Sequence, residues 1–184
     1  MSLAEITVLD GIQNIFKSGF LDTVFPIITL LGNAGIFWIL FSLALVIIKK
    51  TRPLGIAMML ALILDVILCN GILKPLVART RPYELNTAVQ LLIKTPSDFS
   101  FPSGHTAASF AAASSLLYSK SKLWIPAMIL AAVIAFSRLY LYVHFPTDIL
   151  GGIIVGFICG YLGVLISKKL IAQYEMRHNH VEEV

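Results

Sequence analysis

Long apolar runs separated by short polar stretches constrain this chain more than any other feature of its sequence. An α-helix needs roughly 20 apolar residues to span the hydrocarbon core of a bilayer, and several runs approach that length. Hydrophobic residues make up 58% of the 184 residues and charged residues only 13%, whereas roughly a quarter of an ordinary globular domain is charged. We therefore predict an integral membrane protein with no soluble module.

The runs predict an all-α fold, a polytopic bundle of six transmembrane helices. The predicted spans are residues 20–31, 36–48, 53–76, 103–118, 123–143 and 147–166. The first two would rise only about 20 Å as helices, so they must be short or extended by their flanks. Residues 1–18 have the pattern of an amphipathic helix at the membrane surface. The predicted parts are thus this helix, a membrane domain (19–170) and a polar cytoplasmic tail (171–184).

Lysine and arginine residues are distributed unevenly over the predicted loops. One set of loops carries Lys17, Lys49, Lys50, Arg52, Lys120, Lys122, Lys168, Lys169 and Arg177. The other set carries Lys74, Arg79, Arg81, Lys94 and Arg138. Cytoplasmic loops are the ones enriched in Lys and Arg, so we predict that both termini are cytoplasmic and that the second set faces the extracytoplasmic side.

The cysteines and the net charge exclude several classes of site. Cys69 and Cys159 lie inside apolar runs, where cysteine behaves as a small hydrophobe, so neither a disulfide nor a zinc site is predicted. The net charge of +4 is scattered over short loops and span ends and forms no basic groove. We predict no metal, no cofactor and no nucleic-acid partner.

The first motif is a pair of cations at the edge of the third predicted span. Lys74 and Arg81 are seven residues apart in the stretch KPLVARTRP, so a helix that continued to Arg81 would present both on one face. Pro82 would then end that helix. Two cations placed in this way suit a phosphate group. The alternative is that both side chains snorkel to the lipid headgroups.

The second motif, FPSGH, precedes a stretch rich in small residues. Ser103 is a good helix N-cap, and Gly104 leaves the backbone amides open to a ligand. The N-terminus of a helix binds anions, and His105 would stand at its mouth as a proton donor. The alternative is an ordinary capped helix with an incidental histidine.

The third motif, SRLYLYVHFPTD, lies between the last two predicted spans and contains Ser137, Arg138, His144 and Asp148. Arg138 adds a third cation. A carboxylate bonded to one nitrogen of a histidine ring fixes the tautomer and leaves the other nitrogen free to attack. Asp148 follows His144 by four residues and suits that role. The alternative is a structural His–Asp pair that caps the sixth span.

The three motifs gain weight when they are taken together. Of the four histidines, the two outside the tail fall in separate motifs on the same predicted face. A cation cluster, one histidine to attack and one to protonate the leaving oxygen form a phosphoryl-transfer set that needs no metal. A hypothesis of another class is an anion transporter or channel lined by the same cations.

The combined pattern resembles the three-part signature of the type 2 phosphatidic acid phosphatase superfamily. It reads Lys74-x6-Arg81-Pro82, then Pro102-Ser103-Gly104-His105, then Ser137-Arg138-x5-His144-x3-Asp148. Every signature position is filled, over about residues 70 to 150. Vanadium-dependent haloperoxidases share the signature but are soluble and much larger, which argues against a peroxidase.

The resemblance implies a helical membrane phosphatase and a role for each signature residue. His144 would form a phosphohistidine, Asp148 would orient it, and His105 would protonate the departing lipid oxygen. The phosphate oxygens would be held by the remaining signature residues, namely Lys74, Arg81, Ser103, Gly104 and Arg138.

The resemblance, together with the outward-facing site, implies an enzyme of the bacterial plasma membrane. The expected substrate is a lipid phosphate or diphosphate, and the resemblance favours undecaprenyl diphosphate over phosphatidylglycerophosphate or phosphatidic acid. The expected partners are membrane lipids. Residues 83–100 and the first two spans would shape the lipid entrance.

Two further features of the spans stand outside the motifs. Asp65 lies deep in the third span, where it predicts an interhelical hydrogen bond or a protonated carboxyl. Gly152, Gly156 and Gly160 recur every four residues in the sixth span. Such a stripe predicts close helix packing, either within the chain or at a homodimer interface.

Overall fold

The structure is a computed structural model that describes residues 2–182, with side chains described for residues 3–176. Within these residues the chain is all-helical, as predicted. The last two residues of the predicted tail lie outside the described residues. The helices are α1 (Ser2–Phe16), α2 (Gly19–Leu30), α3 (Ile36–Ile47), α4 (Arg52–Asp65), α5 (Lys74–Val77), α6 (Pro82–Leu85), α7 (Gly104–Tyr118), α8 (Trp124–Tyr140) and α9 (Pro146–Glu182).

The two separate spans predicted in residues 20–48 are not confirmed. A 3₁₀ turn, Asn33–Gly35, joins α2 to α3, and the helix axis bends there by only 44°. Ala34 (φ 49°) and Gly35 (φ 65°) adopt left-handed backbone conformations that deflect the chain without reversing it. By length and composition, α2 and α3 together form one broken span or a re-entrant pair.

Two described segments are long and apolar enough to cross a membrane, and a third qualifies if α2 and α3 count as one. They are Arg52–Leu85, with a mean hydropathy of 2.4, and Pro146–Met176, with a mean hydropathy of 2.5. The first of them contains a π-helical stretch, Val66–Leu73, directly before Lys74. α7 and α8 are shorter, at 15 and 17 residues. The apolar helices agree with a membrane location.

α7 forms the centre of the bundle and packs directly against α9. Every residue of α7 from Thr106 to Leu116 is buried. A Cβ atom added at Gly152 would lie 2.8 Å from the carbonyl oxygen of Ser103, and one at Gly156 would lie 2.6 Å from Cβ of Phe110. The glycine stripe therefore lets two backbones of the same chain approach closely. This contact sets the start of α7 beside the start of α9.

Hydrogen bonds from α8 and α9 hold α1 and α2 at one end of this bundle. Glu5 on α1 accepts hydrogen bonds from the hydroxyl and the backbone N–H of Thr147. The Tyr140 hydroxyl donates to Asp22 on α2 at 2.6 Å. We call the end that carries α1, residues 78–103 and residues 141–145 the upper end.

The opposite, lower end carries the links between α3 and α4 and between α7 and α8. A small cavity there is lined by Pro53, Leu54, Ser119, Lys168 and Ile171, among others. The basic residues Lys49, Lys50, Lys120 and Lys122 belong to the same two links.

We expect Gly156→Ala to destabilise the fold, because its methyl group would meet Phe110 and the backbone of α7. Overpacking of this kind costs about 1–3 kcal/mol, so the thermal unfolding midpoint in detergent should fall by several degrees. Gly11→Ala is the matched control, since a Cβ there meets nothing within 4 Å and alanine favours the helix. Equal midpoints for the two variants would contradict the packing described.

Candidate active site

A cavity of about 400 Å³ opens at the upper end of the bundle. It brings together residues from all three sequence motifs. The predicted site residues that line it are Lys74, Arg81, Gly104, His105, Arg138 and His144. Ser103 and Asp148 are fully buried behind this lining.

Lys74 and Arg81 meet in the cavity, but not on one helix face as the spacing suggested. The helix ends at Val77, and Ala78 then adopts a left-handed conformation with φ 47°. Arg81 is extended (φ −91°, ψ 157°), and Pro82 begins the short helix α6 rather than ending a longer one. The turn folds the chain back, so that both cations reach the same carboxylate, that of Asp98.

Arg81 is almost fully buried and held rigidly. Its Nε donates to the carbonyl oxygen of Asp98 at 2.8 Å, and its Nη1 donates to that of Val143 at 2.7 Å. The same Nη1 lies 3.3 Å from Nε2 of His144. A guanidinium fixed in this way is pre-organised next to the histidine.

His144 lies in the loop between α8 and α9, with its two ring nitrogens in different surroundings. Nε2 faces Arg81, while Nδ1 lies 3.5 Å from Oδ2 of Asp148 and has no other partner among the described residues. That distance exceeds a normal hydrogen bond, but catalytic contacts are often long before a ligand binds. Burial, and then the charges of Arg81, Arg138 and Lys74, lower the pKa of His144 well below its usual value. Both effects favour the neutral ring. With the proton on Nδ1, facing Asp148, Nε2 is the acceptor for Nη1 of Arg81, and its lone pair can attack once that contact is released.

Asp148 is held by a network of donors. Its Oδ2 accepts from the Ser100 hydroxyl at 2.5 Å and from the backbone N–H of Phe145 at 2.8 Å. Its Oδ1 accepts from Nη1 of Arg79 at 2.6 Å. These bonds fix the carboxylate beside His144.

Arg79 is a part of the site that the sequence reading missed. Besides Asp148, it donates to Glu5 at 2.5 Å and to Thr147 at 2.7 Å, and its guanidinium stacks 4.0 Å over the ring of Phe145. Burial alone would raise the pKa of Glu5, but hydrogen bonds from Thr147 and Arg79 lower it. Arg79 stands two residues before Arg81, and that proximity was the only sequence signal available.

The start of α7 contributes one wall of the cavity. Ser103 occupies the N-cap position, as predicted, but its hydroxyl makes no capping bond and instead accepts from Thr106 at 3.0 Å. A Cβ at Gly104 would lie 3.5 Å from Nζ of Lys74, so the glycine keeps this wall open. Nε2 of His105 lies 2.8 Å from Oδ1 of Asn33, in the turn between α2 and α3.

Arg138 reaches the cavity from the end of α8. Its Nη1 donates to the Thr29 hydroxyl at 2.5 Å, and its Nε has no partner among the described residues. Three cations therefore converge on one buried space. Within the part of the chain that the structure describes, no three His, Cys, Asp or Glu side chains are grouped as metal ligands.

The chain is similar to several known proteins. The PAP2 superfamily model matches residues 52–172. An undecaprenyl-diphosphatase of Sulfolobus acidocaldarius is 34% identical over 132 residues, which are 71% of this chain and 64% of that protein. Phosphatidylglycerophosphatase B of Bacillus subtilis is 32% identical over 89% of this chain and 75% of its own length.

Two solved structures resemble the fold. The crystal structure of a transmembrane PAP2 type phosphatidylglycerolphosphate phosphatase from Bacillus subtilis has a TM-score of 0.72 at 27% identity, covering 90% of this chain and 85% of that one. Aquifex aeolicus LpxE has a TM-score of 0.73 at 30% identity, covering 86% and 93%.

These matches are broad, but several relatives are longer than the matched part. The chain spans 64%, 51% and 46% of three of the curated relatives that it matches. The family model nevertheless covers well over half of this chain and contains all three motifs. The chain belongs to the PAP2 superfamily.

Proposed function

We propose that this protein is a membrane lipid phosphatase that hydrolyses a lipid phosphate or diphosphate through a phosphohistidine on His144. The observation that carries the proposal is the buried His144, whose Nε2 lies 3.3 Å from Arg81 in the cavity that Lys74 and Arg138 also line. A neutral imidazole beside fixed cations suits attack on a phosphate.

In the first half-reaction Nε2 of His144 attacks phosphorus. The N–P bond forms as the bond from phosphorus to the leaving oxygen breaks, and His105 gives its proton to that oxygen. His105 must release Asn33 for this step, since the same nitrogen now contacts that amide oxygen. Asp148 stabilises the imidazole as it becomes positively charged. Water then attacks the phosphohistidine while His105 takes a proton from it. The N–P bond breaks, inorganic phosphate leaves, and both histidines return to their starting states.

The phosphate oxygens are held by the cations and by the start of α7. Lys74, Arg81 and Arg138 neutralise the charge, and Gly104 allows close approach to the first N–H groups of the helix. Ser103 contributes through its backbone, because its N–H donates to the carbonyl oxygen of Asp148 at 3.1 Å. It thereby ties the start of α7 to the start of α9.

A second cavity, also of about 400 Å³, supports a lipid substrate. It shares Lys74, Asp98, Gly104 and His105 with the first cavity. Its remaining lining is largely apolar and includes Ile39, Leu62, Val66 and Ala108. We assign it to the first part of the lipid chain.

Asp65 also lines this cavity and has one oxygen with no partner among the described residues. No interhelical hydrogen bond therefore accounts for that oxygen.

Undecaprenyl diphosphate is the substrate that we propose first. Relatives named undecaprenyl-diphosphatase occur in Sulfolobus acidocaldarius and Bacillus subtilis, at 34% and 36% identity. Phosphatidylglycerophosphate is the second candidate, favoured by the phosphatidylglycerophosphatase B match over 89% of this chain.

We propose a multi-pass topology in the cell membrane with the upper end on the extracytoplasmic side. The lysines of the lower end support this orientation. Five segments cross the membrane: α3, residues 52–77, α7, α8 and α9. The bonds of α1 to Thr147 and Arg79 favour an amphipathic N-terminal helix on the same side as the site. The C-terminal tail is then cytoplasmic and the N-terminus is not. Homodimerisation stays a prediction.

We expect His144→Ala to lower lipid phosphate turnover by roughly three orders of magnitude or more, because the nucleophile is lost. The variant should still bind orthovanadate, since the three cations remain. Phosphate release from prenyl diphosphate, phosphatidylglycerophosphate and phosphatidic acid, measured in detergent micelles, is the assay.

Two outcomes would contradict the mechanism. One is wild-type protein that releases no phosphate from any of these lipids, with His144→Ala changing nothing; an anion transporter would behave in this way. The other is hydrolysis that a chelator abolishes, because the histidine mechanism needs no metal.

We expect Arg79→Ala to lower kcat roughly 10- to 100-fold with little change in KM. Arg79 does not contact the substrate but positions Asp148, and loss of such a supporting group typically has an effect of this size. The buried Asp148 would lose its ion-pair partner and its fixed position. Arg79→Lys should recover part of kcat, because the charge returns without the planar fork. A rise in KM with kcat unchanged would show that Arg79 acts on phosphate binding instead.

We expect Val66→Trp to raise KM for a lipid substrate several-fold by narrowing the second cavity. Ile67→Trp is the matched control: Ile67 does not line that cavity, and the two residues are similarly exposed, at 55% and 54%. A short-chain soluble phosphate monoester should show no difference between the two variants. An equal rise in KM for the two variants would contradict the assignment of this cavity to the lipid chain.

A further inference from the structure

Asp98 lies outside all three motifs, yet its carboxylate occupies the cations of the proposed phosphate site. Nζ of Lys74 forms an ion pair with Oδ2 of Asp98, and Nη2 of Arg81 donates to Oδ1 at 2.6 Å. Each carboxylate oxygen therefore takes one cation. Asp98 also lines both cavities, at their shared wall.

This arrangement reproduces the contacts that a bound phosphate would make. A carboxylate and a phosphate both present oxygens to Lys and Arg through charge-assisted hydrogen bonds. Burial alone would raise the pKa of Asp98, but its bonds to Lys74 and Arg81 lower it to about 2. Asp98 is therefore negatively charged at pH 7.

The position of Asp98 allows its side chain to move away from Lys74 and Arg81. Its side chain is 51% exposed, whereas Lys74 and Arg81 are buried. It belongs to the loop between α6 and α7, and no regular helix holds its side chain in place. The two cations are the fixed partners, and the carboxylate is the movable one.

We propose that Asp98 is an internal counter-ion that any phosphate ligand must displace, so that it weakens the binding of every such ligand by the same factor and leaves a singly charged phosphodiester with no net electrostatic gain. The proposal rests on the proposed phosphatase function. Lys74, Arg81 and Arg138 carry three positive charges, and the Asp98 carboxylate cancels one. A phosphodiester carries one negative charge, so exchanging it for Asp98 gains no charge interaction.

A terminal phosphate behaves differently. A phosphate monoester carries about −1.5 to −2 charges at pH 7, and a diphosphate carries more. Such a group replaces Asp98 with a net gain in electrostatic attraction. A site open to the membrane is surrounded by phosphodiester headgroups, which gain no electrostatic attraction by displacing Asp98. Asp98 acts through Lys74 and Arg81 and sets the affinity of the site for phosphate groups, with no role in the chemical step.

The test is Asp98→Asn, which removes the charge and keeps the shape. Inhibition of lipid phosphate hydrolysis by short-chain phosphatidylglycerol, a singly charged phosphodiester, should tighten about tenfold. KM for the doubly charged substrate should fall by a similar factor, because both ligands displace the same carboxylate. Asp98→Glu keeps the charge and should retain the wild-type constants. Asp10→Asn is the matched control: it removes an acidic group that bonds Tyr142 and lines neither cavity, and should leave both constants unchanged.

Two results would overturn the proposal while leaving the phosphatase function intact. One is an active Asp98→Asn variant whose phosphodiester inhibition constant and KM both equal those of the wild type. The other is weaker binding of both ligands, which would make Asp98 a support for Lys74 and Arg81. If Asp98→Asn does not fold, Asp98→Ser is measured against the same criteria. Wild-type protein that hydrolyses no lipid phosphate would instead refute the proposed function itself.

Discussion

The close contact between α7 and α9 is the interaction on which the rest of the structure depends. Gly152 and Gly156 bring the backbone of α9 against α7 without intervening side chains. The contact continues to the upper end, where the N–H of Ser103 bonds the carbonyl oxygen of Asp148. It therefore brings the second motif, which lies at the start of α7, beside the third, which leads into α9. Small residues achieve this, whereas large apolar ones would not, because small side chains allow a short distance between the axes of the two helices.

The buried charges impose the second constraint. Arg81 and Arg138 are each 2% exposed, and Asp148 is fully buried. Uncompensated charges in such surroundings are strongly destabilising, so each needs a partner. Arg79 pairs with Asp148, and Asp98 pairs with both Lys74 and Arg81 and cancels one of their two charges. The counter-ions thus stabilise the buried charges when no substrate is bound. The cations remain in place to bind a phosphate group that displaces Asp98.

Much of the site was predictable from sequence because its residues occur in motifs with characteristic spacing. The all-helical class, the membrane location and the family followed from the apolar runs and the three motifs, and each is confirmed. The path of the chain between those residues was less predictable. Lys74 and Arg81 do meet, but through a left-handed turn at Ala78 and not on one helix face. The seven-residue spacing is compatible with either path of the backbone.

The sequence by itself determined which residues carry the chemistry and that a bilayer surrounds them, because both are properties of residue type and short spacing. Only the tertiary structure decided the partners. Glu5, Arg79, Asp98 and Asn33 reach the site from distant or irregular segments, and no periodicity predicts where such segments lie. The bend of 44° between α2 and α3 was equally hidden, since a glycine-rich turn allows either a reversal or a deflection. Packing against α8, through Tyr140 and Arg138, selects the deflection and sets α1 and α2 at the upper end.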